Sequence, residues 1–392
     1  MQMAAAGPSK IKSHVCDERP PFERIALILQ GGGALGSYQA GVYEALAEAG
    51  LHPDWVSGIS IGAVNAAIIA GNAPQDRVPR LRDFWETITE TPAGISFFDN
   101  IAIHGDMIRA FVNQTRAMGT IFNGAPQFFQ PRMPSPLFLP KGNPGATSFY
   151  DTEPLRATLE RLIDFERLNG GETRLSVGAV NVESGNFVYF DTPTHHIDTR
   201  HIMASGALPP GFPAVEIDGE SYWDGGIVSN TPLQWVLDSV PRHDTLAFQV
   251  DLWSARGELP GDLTGVLVRA KDIQYSSRTR AATDQFKRLQ KLRGAIRSLL
   301  EKLPPEVRDT PEARALAAEG DHKRYNIIQL IYHAKHYEGT SKDFEFSRRT
   351  MEEHWRAGYH DAVRTLRHPE VLIPPQGGSG VRTFDIARDG RE

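Results

Sequence analysis

The 392-residue chain has a single cysteine, Cys16, so no intrachain disulfide can form. That thiol stands in a polar, proline-containing leader and reads as incidental. No stretch approaches the roughly 18 consecutive apolar residues of a membrane span. The leader also lacks the apolar core of roughly 7–15 residues that an export signal needs. A cytoplasmic location is therefore expected, with peripheral contact at an inner membrane or at a lipid or polyester surface left open. Positive charge is not in excess: 42 Lys and Arg face 48 Asp and Glu, a formal net charge of −6. Nothing global suggests a nucleic-acid partner. No Cys/His spacing suits a structural metal and no calcium loop is present, so neither metal nor other cofactor is expected. There is no internal repeat.

Glycine is well supplied, and its placement is informative. Residues 27 to 41 read LILQGGGALGSYQAG, three consecutive glycines between an apolar run and a helix-like stretch. Gly31 to Gly36 has the spacing of a phosphate-binding loop, but Ser37 and Tyr38 follow where that mechanism needs Lys and then a hydroxyl. It also spells a dinucleotide fingerprint by letter. A nucleotide-binding oxidoreductase would place an acidic residue after the second strand to hold the ribose hydroxyls. Asp54 instead precedes the second apolar run. That run ends in Gly58-x-Ser60-x-Gly62, between a short strand and an alanine-rich helix. The plain reading is a small-residue turn with a helix-capping serine. The chemical reading is a strained elbow that presents Ser60 as a nucleophile.

In a parallel sheet, the loops at the carboxyl ends of neighbouring strands converge, so the glycine loop and the Ser60 turn are expected side by side. Unobstructed amides at a helix N-terminus favour negative charge. The Gly31 to Gly36 loop is thus the expected oxyanion hole for a tetrahedral intermediate at Ser60. A serine nucleophile needs a base. Asp224 ends a strand after the hairpin turn Asp218-Gly219, and Gly225 and Gly226 allow close backbone approach behind it. The thirteen histidines leave a Ser-His-Asp triad open by count, with His195, His196 and His201 nearest to Asp224 in sequence and His104 also a candidate. None of them stands in a recognisable strand-end context.

Gly-Gly-Gly-x-x-Gly closing at Gly36, then Gly-x-Ser-x-Gly, then Asp-Gly-Gly, in that order, resembles the patatin-like phospholipase family. The likeness extends to Ala204-Ser205-Gly206-Ala207-x-Pro209 and Asn230-Thr231-Pro232, covering about residues 23 to 235. The resemblance implies a three-layer α/β/α fold with a mainly parallel central sheet. It further implies a Ser60–Asp224 catalytic dyad that hydrolyses lipid acyl esters, with the backbone of Gly31, Gly32, Gly33 and Ala34 as its oxyanion hole and a lipid or other hydrophobic ester as substrate. Members often carry Arg or Lys at the fifth loop position, where this chain has Leu35. That departure favours a general serine esterase or lipid acyl hydrolase over one that grips a phosphate head group. A non-catalytic lipid-binding protein is the alternative from another class.

The organisation expected is a disordered leader at 1–22, a catalytic domain at 23–250, a helical extension at 251–373 and a disordered tail at 374–392. Within the second of these, about 95–148 reads as an irregular apolar cap. Its stretch FNGAPQFFQPRMPSPLFLP lacks either period and suits the wall of an acyl pocket. The extension either packs on the catalytic unit or is exchanged with a partner chain, which leaves oligomers open. From Arg269 to Lys302 ten Lys or Arg stand against three acids. Phe286, Leu289, Leu292, Ile296, Leu299 and Leu303 recur at helical steps there. That pattern fits a core-packed helix with a solvated basic face, or a surface helix docking on anionic lipid.

Overall fold

The computed structural model of the chain describes residues 13–90, 106–276, 279–377 and 380–386. Its centre is a sheet built from β1 (Arg24–Leu29), β2 (Trp55–Ile59), β5 (Arg174–Asn181), β6 (Phe187–Asp191), β7 (Val215–Ile217), β8 (Glu220–Asp224), β9 (Thr245–Asp251), β10 (Tyr325–Ile331) and β11 (Val381–Phe384). A separate two-stranded ribbon joins β3 (Gln130–Pro131) to β4 (Tyr150–Asp151). The strand order in the sheet is β11-β10-β9-β1-β2-β5-β8-β7, with β6 also paired to β5. From β11 to β5 every pairing is parallel, whereas β6, β7 and β8 attach antiparallel.

Both faces of the parallel part are covered, which is why β1 and β9 read as continuous apolar runs rather than alternating ones. Ile25, Leu27 and Leu29 point into one core with the helices Ser37–Glu48, Ile61–Ala70, Pro74–Ile88 and Arg348–Leu366. Ala26 and Ile28 point the other way, into a second core completed by Leu233, Val236 and Leu237 of one helix and Phe286 of another. The result is the expected three-layer α/β/α arrangement around a mainly parallel sheet.

The C-terminal third differs from a purely helical extension. Strand β10 pairs in parallel with β9 along its whole length, and β11 adds beyond it. The segment after Pro374, expected as disordered, therefore supplies an edge strand, while residues 387–392 lie outside the described residues. Both strands were missed because β10 lies between helices in a stretch read as helical, and β11 lies in the stretch read as disordered. The helix Thr279–Lys302 packs inward through Phe286 and Leu300, and Phe286 sits edge-on to Tyr325 at 4.9 Å. Leu292 and Leu299 of the anticipated apolar stripe are instead exposed. Much of the leader from Ser13 onward is described, with Phe22 buried in the core. Within the described part of the cap, a regular helix, Asp106–Asn123, precedes the aperiodic stretch that buries Phe128 and Phe129. Residues 91–105 of that region lie outside the described residues.

Candidate active site

The sheet itself brings two of the anticipated residues together. Gly178 of β5 pairs with Ile59 of β2 on one edge and Tyr189 of β6 on the other, and the next residue, Ala179, pairs with Asp224 of β8 and Val188 of β6. A strand residue has only two edges, so β2 and β8 share the edge opposite β6. One arrives parallel and the other antiparallel, and they meet end to end at Gly178 and Ala179. Ser60 follows Ile59, and Asp224 is the last residue of β8. Their meeting is thus a consequence of register.

At the end of β2 the chain turns sharply into the helix Ile61–Ala70. Ser60 takes φ 57 and ψ −126, in the left-handed region that costs a non-glycine residue about 1–3 kcal/mol. The turn is crowded on both sides. A Cβ on Gly58 would stand 2.2 Å from the carbonyl of Gly62, and one on Gly62 would stand 2.3 Å from that of Leu29. The Ser60 amide donates to Ser205 Oγ at 3.0 Å, whose hydroxyl donates to the Gly178 carbonyl at 2.6 Å. Ser205 therefore pins the strained turn to β5. Its place in Ala204-Ser205-Gly206 was visible in the sequence, but its role was not.

Asp224 is 2 % exposed. Its carboxylate accepts a hydrogen bond from the Gly226 amide at 2.7 Å, and the Ser60 side chain and that amide both favour its charged form. Burial outweighs both and pushes its pKa from 3.8 up to about 7. A carboxyl balanced near neutrality is suited to taking and returning a proton.

The glycine loop lies against this pair: a Cβ on Gly31 would stand 3.0 Å from Ser60 Cβ. Asn230 and Trp253 hold it, both donating to the Gly31 carbonyl, at 3.0 and 2.8 Å. Gln30 accepts from the Leu252 and Trp253 amides and donates to Thr231 and to the Tyr275 carbonyl. These buried amide side chains carry no sequence signal of their own beyond Asn230-Thr231-Pro232. Within the loop, the Gly31 amide donates to the Asn230 carbonyl and the Ala34 amide to the Asp343 carbonyl at 2.8 Å. No hydrogen bond donated by the Gly32 or Gly33 amide occurs among the described residues. Leu35 is fully buried in the core and does not face the loop's ligand side.

Gly31, Gly32, Gly33, Ser60 and Asp224 line one end of a cavity of ≈ 350 Å³. Its remaining wall is apolar and aromatic, with Phe128, Phe129, Phe212, Phe344 and Phe346 prominent. Of the candidate histidines, His201 is buried in a capping box with Asp198, and His195 and His196 are exposed. His104 lies outside the described residues. No described histidine lines the cavity. Among the described residues there is also no cluster of metal-ligating side chains, and no helix is long and apolar enough to cross a membrane.

A family model described as patatin-like phospholipase matches residues 27–237, and a second, described as patatin phospholipase, matches residues 273–377. The lysophospholipase nte1 of Aspergillus terreus is 43% identical over 76 residues, which is 19% of this chain and 5% of that protein. Patatin-like phospholipase domain-containing protein 7 of Rattus norvegicus is 52% identical over 46 residues, 12% of this chain and 3% of its own length. The chain thus spans a small fraction of these curated relatives. Among solved structures, VipD from Legionella pneumophila superposes with a TM-score of 0.40 at 16% identity, over 93% of this chain and 72% of that one. The ExoU–SpcU complex of Pseudomonas aeruginosa gives 0.28 at 19% identity, over 77% and 69%. Neither superposition is close enough to carry a functional argument.

Proposed function

The chain belongs to the patatin-like phospholipase family, and from that premise we propose that it is a serine acyl hydrolase acting on carboxylic esters of lipids through a Ser60–Asp224 dyad. Ser60 Oγ attacks the ester carbonyl carbon while Asp224 takes the hydroxyl proton. The carbonyl oxygen gathers negative charge and is received by the Gly32 and Gly33 amides, the loop donors not engaged elsewhere. The tetrahedral intermediate collapses, and the alcohol departs with the proton held by Asp224. Water then attacks the acyl-serine, Asp224 accepts its proton, and the fatty acid leaves as that proton returns to Ser60. Each preorganised amide donor is worth on the order of 10²–10³ in rate.

The observation that carries this reading is the convergence of the strained Ser60 and the buried Asp224, its carboxyl pushed up to about 7, on the wall of one aromatic-lined cavity. Such a cavity suits an acyl chain, with its ester at the one polar end. The deciding experiment is covalent labelling by a fluorophosphonate, followed by mapping of the modified residue and turnover of p-nitrophenyl and phospholipid esters. Label on Ser60, and loss of both label and turnover in Ser60→Ala, is the expected result. Modification of a different serine, with Ser60→Ala still active, would sink it.

A further inference from the structure

Two short stretches of the C-terminal region close over the glycine loop, and they are the same dipeptide. Lys271-Asp272 ends the helix Leu263–Tyr275, and Lys342-Asp343 follows a 3-10 turn. They pair crosswise: Lys271 Nζ lies 2.6 Å from Asp343 Oδ1, and Lys342 Nζ lies 2.5 Å from Asp272 Oδ1. The Lys342 side chain is only 4% exposed, and both ammonium groups lie over the Trp253 ring, at 5.7 Å for Lys271 and 4.9 Å for Lys342. Trp253 is the residue whose indole donates to Gly31. Partly buried, reciprocally satisfied charges of this kind define a unique geometry better than they add stability.

What they hold reaches the reacting atoms. The Asp343 carbonyl accepts the Ala34 amide, and a Cβ on Gly33, at φ +55, would stand 2.1 Å from that carbonyl oxygen. The backbone at Asp343 is thus packed directly on the loop that presents the Gly32 and Gly33 amides. Phe344 and Phe346 enter the cavity from the same segment, with Phe346 at 5.7 Å from Phe128 and 6.0 Å from Phe129, ring to ring.

We propose that residues 342–346, clasped by the crossed Lys271–Asp343 and Lys342–Asp272 pairs, position the oxyanion loop and form the wall that limits the acyl chain. The C-terminal region is then part of the hydrolytic site. This inference rests on the reading of Ser60 as the nucleophile. Displacement of the clasp moves the Gly33–Ala34 backbone and weakens donors that matter only once charge develops on the substrate oxygen, so the loss falls on kcat rather than KM. Removal of the Phe346 ring instead opens room at the apolar end.

The test uses the full-length protein, p-nitrophenyl esters of graded acyl length, and the rate of fluorophosphonate labelling. Lys342→Met is expected to lower kcat on a short ester about tenfold with KM within about twofold. The labelling rate should fall in parallel, since phosphonylation passes through a similar anion. Phe346→Ala is expected to raise the ratio of kcat/KM for long over short chains about tenfold while labelling proceeds at the wild-type rate. If Lys342→Met fails to fold, Lys271→Met serves, because that side chain is 27% exposed. A wild-type kcat and labelling rate in the lysine variant, or a wild-type chain-length ratio in Phe346→Ala, with circular dichroism unchanged, overturns the proposal. Failure of the wild-type protein to label at Ser60 is a different result, which removes the nucleophile assignment and the inference with it.

Discussion

On the proposed dyad, the ionisation of Asp224 ties activity and stability to the same pH window in opposite senses. As the proposed base it must be a carboxylate, so with its pKa near 7 the value of kcat/KM should rise with pH and level off just above neutrality. Stability runs the other way. The folded pKa, about 7, lies above the ordinary 3.8, so between those values the folded chain binds a proton that the unfolded chain has released. That contribution is fully present below about pH 4, is lost as pH climbs towards 7 and is constant beyond. Asp224→Asn should therefore reduce turnover by at least the roughly 10²–10⁴ of general-base catalysis. It should also remove this part of the decline of Tm with pH. A pH–rate profile with no limb near 7, or an Asn variant whose Tm falls as steeply as that of the parent, would count against the assignment. The meeting of Ser60 and Asp224 was legible because a strained serine turn forces small neighbours and a strand-end carboxylate is followed by paired glycines. The contacts of Ser205 and Gln30 were not. A buried hydroxyl or amide that satisfies backbone groups looks like any other polar residue until its partners are known. The same holds for the Ala34 amide, which the sequence placed among the oxyanion donors and which the structure shows bonded to Asp343.

Between elements, the closest packing is the crossing of the helices Ser37–Glu48 and Arg348–Leu366. A Cβ on Gly41 would lie 1.9 Å from the Trp355 carbonyl oxygen, and one on Gly358 would lie 2.0 Å from that of Tyr38. Both obstacles are backbone, so neither can swing aside. Gly41→Ala should destabilise by ~3 kcal/mol through forced separation of the helices. The loss should appear as a lower Tm and urea midpoint, with fluorophosphonate labelling of Ser60 intact below the transition. An unchanged Tm would mean that the helices do not cross this closely. Both stretches read as helical, yet no local pattern told which helix each would meet, and nothing in the sequence marked Gly41 or Gly358 as a contact point. The basic helix Thr279–Lys302 teaches the converse. Its apolar positions suggested one stripe, but Phe286 turns to the sheet and Leu300 is buried beside Ala313 of a following helix, while Leu292 and Leu299 are exposed. Of its cations, Arg293 is buried near Asp238 and Lys287 donates to Thr383. Charge counting alone cannot distinguish such committed side chains from a free patch.

Across the whole molecule, the two matched regions interlock. The first supplies β1, β2, β5, β7 and β8 with the Ser60 and Asp224 turns. The region beyond Asp251 supplies β10 and β11 on the far side of β9, the helix that packs on Tyr38 and Gly41, and the segment clasping the glycine loop. The sequence resemblance faded at Asp251 because it was carried by catalytic motifs, and the later region holds none. What that region does depends on contacts that cross more than 300 positions, such as Tyr38 Oη to Asp361 at 3.0 Å and Trp355 Nε1 to Glu44 at 2.5 Å. No local reading could have found those contacts. A chain ending at residue 262 would lose all of this and expose the face of the helix Ser37–Glu48 as an apolar patch, together with β9 as an unpaired edge strand. Both are aggregation liabilities. The truncated chain is therefore expected to be insoluble, or to bind a hydrophobic dye without a cooperative thermal transition. The full chain should lose ellipticity and Ser60 labelling in one coincident transition. A soluble truncation that melts cooperatively and still labels at Ser60 would show that the catalytic half stands alone, and that the strands and clasp of the C-terminal region are additions to a site already complete.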